Sequence, residues 1–153
     1  MDLGSLVTPD RVLLDLKATS KRQVLRSLAQ AAARVTGVDA EVILEALLQR
    51  ERLGTTGLGG GIAIPHARVP GLASFTGFFA RLAKPVDFEA VDGAPVDLVF
   101  LLLAPEGTGT DHLKALARIA RLLREEEFRN ALRTSPDRAK VHAILAGRPE
   151  AAR

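Results

Sequence analysis

Apolar residues recur along this chain with two different spacings, and each spacing predicts a different element. Over residues 12–16 they occupy alternate positions, which predicts a short first strand. The next segment has apolar residues every three or four positions, the spacing of one helix face. Ser20, with Gln23 three residues later, is a capping-box pattern at its start, and Gly37 is a typical stop. We therefore predict a strand followed by a helix.

A second helix is predicted between Asp39, a suitable N-cap, and Gly54. Its apolar face consists of Ile43, Leu44, Leu47 and Leu48. Arg50 and Arg52 lie in its last turn, where cations complement the helix dipole, so helix stability alone could explain them.

Glycine dominates the segment 54–61, which reads Gly-Thr-Thr-Gly-Leu-Gly-Gly-Gly. This composition is too rich in glycine for a helix interior or a paired strand, so it predicts a mobile or unusually shaped loop. The loop leads into a short predicted strand that ends at Pro65, and His66 follows directly.

Two further strands are predicted at 75–82 and 96–104, with turn residues at 91–95 between them. The second of these strands is apolar at consecutive positions and therefore belongs at the centre of a sheet. A turn of composition Pro-Glu-Gly-Thr-Gly follows it.

Three helical segments complete the chain. The first is capped by Thr110 or Asp111, and a second is predicted at 126–132. The third follows Ser-Pro-Asp at 135–137, with the proline predicted at the first helical position, and it ends before Gly147. The whole pattern predicts one α/β domain over residues 1–153, with the sheet covered by helices on both faces.

Composition narrows the function. Hydrophobic residues at 47% and charged residues at 25% argue against disorder. The chain has no cysteine, which excludes thiol catalysis, disulfides and cysteine metal sites and favours a cytoplasmic location. The longest apolar run, 98–104, is too short to cross a membrane, and no signal peptide is predicted. Although the net charge is +3, basic and acidic residues are interspersed and Tyr and Trp are absent, so we expect no nucleic-acid binding.

Three histidines are the first candidates for chemistry, because imidazole titrates near neutral pH. His142 lies on the last predicted helix and is interpreted as a boundary residue. His66 is the stronger candidate, because it follows the glycine-rich segment and a proline. No P-loop, dinucleotide fingerprint, serine nucleophile elbow or zinc motif is present, so we expect no cofactor and no metal.

One remaining hypothesis makes His66 itself a nucleophile toward phosphorus. A neutral imidazole nitrogen can attack a phosphoryl group when the other ring nitrogen is held by an acceptor. Such a site needs donors for the phosphoryl oxygens, and Arg50 and the amides of Gly59, Gly60 and Gly61 are the candidates.

The segment from Leu48 to His66, LQRERLGTTGLGGGIAIPH, closely resembles the phosphorylation-site signature of bacterial phosphotransferase-system enzyme IIA of the fructose/mannitol type. The resemblance continues through Pro-Val-Asp-Phe at 85–88, the segment 92–102 and Asp-His-Leu-Lys-Ala-Leu-Ala at 111–117, and so covers nearly the whole chain. The glycine-rich lead-in and the Gly-Ile-Ala-Ile-Pro-His core are most similar to the stand-alone, nitrogen-related branch of this family.

The resemblance implies a mixed sheet flanked by helices and a site in which Nε2 of His66 accepts a phosphoryl group from an HPr-like phosphocarrier protein. It also implies that Arg50 and His112 flank that group, and that the two phosphorylation states act differently on regulatory target proteins. Two alternatives stay open: a sugar-uptake enzyme IIA that passes the group to a cysteine of an enzyme IIB, and a binding module that transfers no phosphate.

Overall fold

The computed structural model describes residues 3–147, and its strands form one mixed sheet. Residues 1–2 and 148–153, which the predicted domain includes, lie outside the described part. The strands are β1 (Val12–Leu16), β2 (Gly57–Gly59), β3 (Ile62–Ala63), β4 (His66–Val69), β5 (Thr76–Val86) and β6 (Val96–Pro105). Their order in the sheet is β1-β5-β6-β3-β2, and β4 also pairs with β6. β5 and β6 are antiparallel, whereas β1 is parallel to β5, and β3 and β4 are parallel to β6.

Helices cover both faces of this sheet, as predicted. Two of them contribute to a core on one face, and the other four contribute to a core on the opposite face. The first group is α2 (Lys21–Thr36) and α3 (Ala40–Arg52); the second is α1 (Leu3–Leu6), α4 (Asp111–Leu123), α5 (Glu126–Thr134) and α6 (Arg138–Leu145).

Strand β6 belongs to both cores, which confirms its predicted central position. Val99, Leu101 and Leu103 pack with α2 and α3. Their neighbours Leu98, Phe100 and Leu102 pack on the other face, because successive side chains of a strand point in opposite directions. Full burial of each such side chain contributes about 1.5–3 kcal/mol, so β6 is a firm support for the strands paired with it.

The predicted caps of α2 and α3 are present. The Ser20 hydroxyl accepts from the Gln23 amide at 3.2 Å, and Gly37 has a left-handed backbone with φ 76°. The Gln23 side chain accepts from the Thr19 amide at 2.7 Å, one residue earlier than in a standard capping box. Asp39 caps α3 by accepting from the Glu41 amide at 2.8 Å.

The glycine-rich segment corrects our prediction, because it does contain a paired strand. Gly57–Gly59 pairs antiparallel with Ile62–Ala63 to form a hairpin. Gly60 and Gly61, with φ of 68° and 81°, form its turn in a conformation that favours glycine. A Cβ on Gly57 would lie 2.9 Å from the Ala90 backbone, so close packing requires glycine there as well.

Other boundaries also differ from the predictions. The strand predicted to end at Pro65 ends at Ala63, and His66 begins a new strand, β4, that was not predicted. Helix α1 was not predicted either, and β5 extends beyond 75–82 to Val86. Pro136 is not the first helical residue of α6, because Asp137 follows it as the N-cap and accepts from the Lys140 amide at 2.9 Å.

Candidate functional site

His66 and Arg50 meet where β4 packs against α3. His66 is the first residue of β4 and is held in the sheet by its pairing with Leu102 of β6. Arg50 lies in the last turn of α3. Its Nε donates to Nε2 of His66 at 3.0 Å, and its Nη1 donates to the Gly54 carbonyl at 2.9 Å. The two residues therefore form one polar unit.

Glu51, the residue after Arg50, fixes this end of α3. Its side chain is nearly buried and lies 2.7 Å from the Lys21 ammonium. It also accepts from the Thr56 amide at 3.2 Å and from the Thr56 hydroxyl. Because a buried carboxylate needs such partners, Glu51 ties the helix end to the glycine hairpin and restricts the position of Arg50.

The hydrogen bonds of His66 determine which nitrogen carries its proton. Nδ1 lies 2.8 Å from the Ile64 carbonyl oxygen, which can only accept, so Nδ1 carries the hydrogen. Nε2 then presents a lone pair, which accepts from Arg50. This lone pair can attack an electrophile.

Burial keeps His66 neutral. Partial burial lowers the pKa of His66 below its ordinary value of 6.5, and the nearby Arg50 guanidinium lowers it further. The Ile64 carbonyl and the Glu51 carboxylate oppose this shift by favouring the protonated ring. Near pH 7 the imidazole is therefore in the unprotonated form that a nucleophile requires.

His112 lines the same open cavity as His66, although the two residues are 46 positions apart. It is the second residue of α4, and its Nδ1 lies 3.2 Å from the Gly109 carbonyl oxygen. The cavity has a volume of about 640 Å³ and is lined by Ala46, Gln49, Arg50, Leu53, His66, Ala67, Arg68, His112 and Leu113. The structure thus brings together His66, Arg50 and His112.

Comparison with known proteins identifies the family. A family model described as "Phosphoenolpyruvate-dependent sugar phosphotransferase system, EIIA 2" matches residues 5–147. The chain belongs to the EIIA 2 family. It is 54% identical over 152 residues to the "Nitrogen regulatory protein" of Bradyrhizobium diazoefficiens, with 99% of each chain covered. It is 43% identical to the protein of the same name from Pseudomonas aeruginosa, with 94% of each covered.

The fold of this EIIA agrees with that assignment. The crystal structure of nitrogen regulatory protein IIA-Ntr from Neisseria meningitidis matches it with a TM-score of 0.89 and 37% identity. The match covers 93% of this chain and 97% of the other. This EIIA is therefore a component of a phosphotransferase system.

The three glycines predicted to contact a phosphoryl group do not line the cavity at His66. Ile62 pairs with Leu98 of β6, and His66 pairs with Leu102 of the same strand. Because a strand rises about 3.3 Å per residue, the hairpin turn lies about 13 Å or more from His66 along β6. The Gly60 amide instead donates to the Asp92 carboxylate at 3.1 Å, and the Gly60 carbonyl accepts from Arg133 at 2.8 Å. In this EIIA the glycines shape a hairpin and are not among the donors at the site.

Arg68 also lines the cavity, and sequence reasoning missed it. It lies two residues after His66 on β4, so both side chains project from the same side of the strand. That relation was hidden because β4 itself was not predicted. Recognising His66 as the start of a strand would have provided the signal.

His142 lies away from this cavity, at the contact between α6 and α1. Its Nε2 lies 2.8 Å from the Gly4 carbonyl oxygen. Residues 3–147 contain no cluster of three or more metal-ligating side chains of the His, Cys, Asp or Glu type. Within the same range, none of the helices has both the length and the apolar character that a membrane crossing requires.

The lowered pKa of His66 leads to a testable pH dependence. We expect the His66 ring to stay mostly neutral as the pH falls through 6.5, the ordinary histidine pKa, and to become protonated only near its own lower pKa in the folded protein. The rate of phosphoryl acceptance should follow the neutral fraction of the ring. NMR titration of the His66 ring and transfer rates from pH 5 to 8 would give two apparent pKa values to compare. A histidine peptide is the reference, and a His66 pKa at or above that of the peptide would contradict the prediction.

Proposed function

We propose that this EIIA is a cytoplasmic phosphohistidine relay protein. Nε2 of His66 accepts a phosphoryl group from the phosphohistidine of an HPr-like carrier, and the phosphorylated and free forms act differently on regulatory target proteins. The observation that carries the proposal is the tautomer of His66, whose Nδ1–H is held by Ile64 and whose Nε2 carries the lone pair that accepts from Arg50.

The proposed reaction exchanges one nitrogen–phosphorus bond for another. The Nε2 lone pair forms the new bond to phosphorus as the bond to the carrier's imidazole breaks, and that imidazole leaves with the bonding electron pair. The proton on Nδ1 of His66 stays in place and donates to Ile64 throughout. Because donor and acceptor are both imidazoles, the transfer is nearly balanced in energy and reversible, and the protein supplies positioning and charge stabilisation.

Arg50 and His112 are the proposed donors to the phosphoryl oxygens. Arg50 donates to the Nε2 lone pair before transfer, so in the proposed step it moves from that nitrogen to an incoming oxygen. Its guanidinium then compensates the negative charge, while the cavity leaves His112 within reach of the same group.

The rim of the cavity supports a protein as the phosphoryl donor. Leu53 is 83% exposed and Leu113 is 54% exposed, and the two side chains line the opening beside His66. Exposed apolar side chains around a polar centre are typical of a protein interface. A donor bearing its own apolar surface would bury both leucines as it presents its phosphohistidine.

Similarity over nearly the whole chain to nitrogen regulatory proteins supports the regulatory role. The family description supports the alternative, in which this EIIA serves sugar uptake and passes the group to a cysteine of an enzyme IIB. Both functions use His66 in the same way, so they differ in what binds the cavity after phosphorylation.

An affinity experiment separates these two functions. The wild-type protein is immobilised in its phosphorylated and its free form, and the His66→Ala and His66→Glu variants are immobilised beside it. We expect to recover a partner that binds one phosphorylation state in preference to the other. The physical reason is that the phosphoryl group adds up to about two negative charges to a surface whose charged lining residues are the arginines Arg50 and Arg68. With a radiolabelled phosphoryl group on His66, a regulatory partner stays unlabelled.

The sugar-uptake alternative predicts a different result. In that case the radiolabel moves to a cysteine of the recovered protein, and deletion of the gene abolishes growth on a particular sugar. That pair of findings would overturn the regulatory proposal while leaving phosphoryl acceptance at His66 intact.

A further inference from the structure

Arg68 connects strand β4 to the start of helix α4 through a single nitrogen. Its Nη2 lies 2.9 Å from the Gly109 carbonyl oxygen and 3.0 Å from Nδ1 of His112. A guanidinium NH2 group has two hydrogens, so Nη2 can donate to both acceptors at once. Nδ1 of His112 thus contacts both Arg68 and, at 3.2 Å, the Gly109 carbonyl oxygen. Among residues 3–147, Nε2 of His112 has no hydrogen-bond partner.

These contacts determine the tautomer of His112. A guanidinium can only donate, so Nδ1 presents a lone pair to Arg68. In the other tautomer, Nδ1 would carry the hydrogen and donate it to the Gly109 carbonyl oxygen at 3.2 Å, but this hydrogen would also face the N–H of Arg68. The Gly109 carbonyl oxygen does not need that hydrogen, because it accepts from Arg68. The neutral ring therefore carries its hydrogen on Nε2.

We propose that Arg68 is a positioning residue that holds His112 in the Nε2–H tautomer and so makes it a donor to the phosphoryl group on His66. The inference rests on the proposed function. A phosphoryl oxygen accepts hydrogen bonds and repels lone pairs, so the tautomer decides whether His112 attracts or repels it. Without Arg68, the Gly109 carbonyl would draw the hydrogen to Nδ1 and leave a lone pair on Nε2.

The tautomer can be measured without any transfer reaction. Nitrogen-15 NMR distinguishes a protonated ring nitrogen from an unprotonated one, at a pH about two units above the ordinary histidine pKa of about 6.5. We expect Nε2–H in the wild-type protein, a shift of the hydrogen toward Nδ1 in Arg68→Ala, and restoration in Arg68→Lys, whose ammonium can also only donate. An unchanged Nε2–H tautomer in a folded Arg68→Ala protein would overturn the inference.

A double-mutant cycle tests whether Arg68 acts through His112. We expect Arg68→Ala to slow phosphoryl acceptance about tenfold, by analogy with the loss of one stabilising donor. In a His112→Ala background the same change should have little further effect, because the ring that Arg68 orients is gone. An equal tenfold loss in both backgrounds would show that Arg68 contacts the phosphoryl group directly, which also overturns the inference.

Arg118→Ala is the matched control, because this exposed arginine lies on α4 and does not line the cavity at His66. It should change neither the tautomer nor the rate. If the wild-type protein accepts no phosphoryl group at all, the proposed function fails, and the NMR result still decides whether Arg68 sets the tautomer of His112.

Discussion

The His66→Ala protein should gain no phosphoryl group from a phosphorylated HPr-like carrier, whereas the wild-type protein gains one per chain. The physical reason is that, among the histidines of residues 3–147, only His66 combines a held Nδ1–H, a lone pair at Nε2 and an adjacent guanidinium. Intact mass measurement after incubation with the carrier gives the number of groups directly. As a phosphohistidine, the adduct should be lost in acid and retained in base.

His142→Gln is the control for this experiment. The glutamine amide can still donate to the Gly4 carbonyl that His142 contacts, so the fold should persist and the variant should be labelled like the wild type. The same added mass on the His66→Ala protein would mean that another side chain is the acceptor.

Loss of Arg50 should have the second largest effect. We expect Arg50→Ala to slow phosphoryl acceptance by about tenfold to a thousandfold, because a charge-stabilising donor is removed where negative charge must be held. Arg50→Lys should recover only part of the rate, since an ammonium lacks the planar fork that can contact two oxygens. Rapid-quench measurements at saturating carrier give the rates, and circular dichroism checks the fold.

Arg52→Ala provides a matched control two residues further along the same helix. Arg52 is exposed, and its partner is Glu45 at 3.4 Å, so it lies outside the His66 unit. A second readout is the pKa of His66, which should rise when the Arg50 charge is removed. A transfer rate equal to that of the wild type would assign Arg50 to the stabilisation of α3 alone.

Local signals were sufficient for the parts of this fold that depend on neighbouring residues. Ser20, Gly37 and Asp39 mark helix boundaries because caps act through bonds within one turn. Continuous apolar character placed β6 at the centre, since both of its faces are buried. The glycine hairpin could not be predicted in this way, because Gly57 packs against Ala90, more than thirty positions away.

The site shows the same division. His66 and Arg50 were predicted together from their motif, and the structure places them in contact. The glycine amides were assigned to the same site because they are close to His66 in sequence. Strand pairing separates the glycines from His66, because β3 pairs with β6 near Leu98 whereas β4 pairs with β6 from Leu102 onward. Arg68 required knowledge of β4, whose pairing with β6 is a long-range contact.

The exposed pair Leu53 and Leu113 links the electrostatics of this site to the proposed docking of a carrier. While the cavity is open, water screens the Arg50 guanidinium. The Coulomb attraction between two opposite unit charges about 4 Å apart is about 1 kcal/mol in bulk water, but about 4 kcal/mol at an effective dielectric constant of about 20. In the proposed transfer, a carrier that covered both leucines would expel water and strengthen the attraction of Arg50 for the phosphoryl group. The same exclusion would keep water from competing with His66 as the acceptor, so the proposed transfer would proceed without hydrolysis.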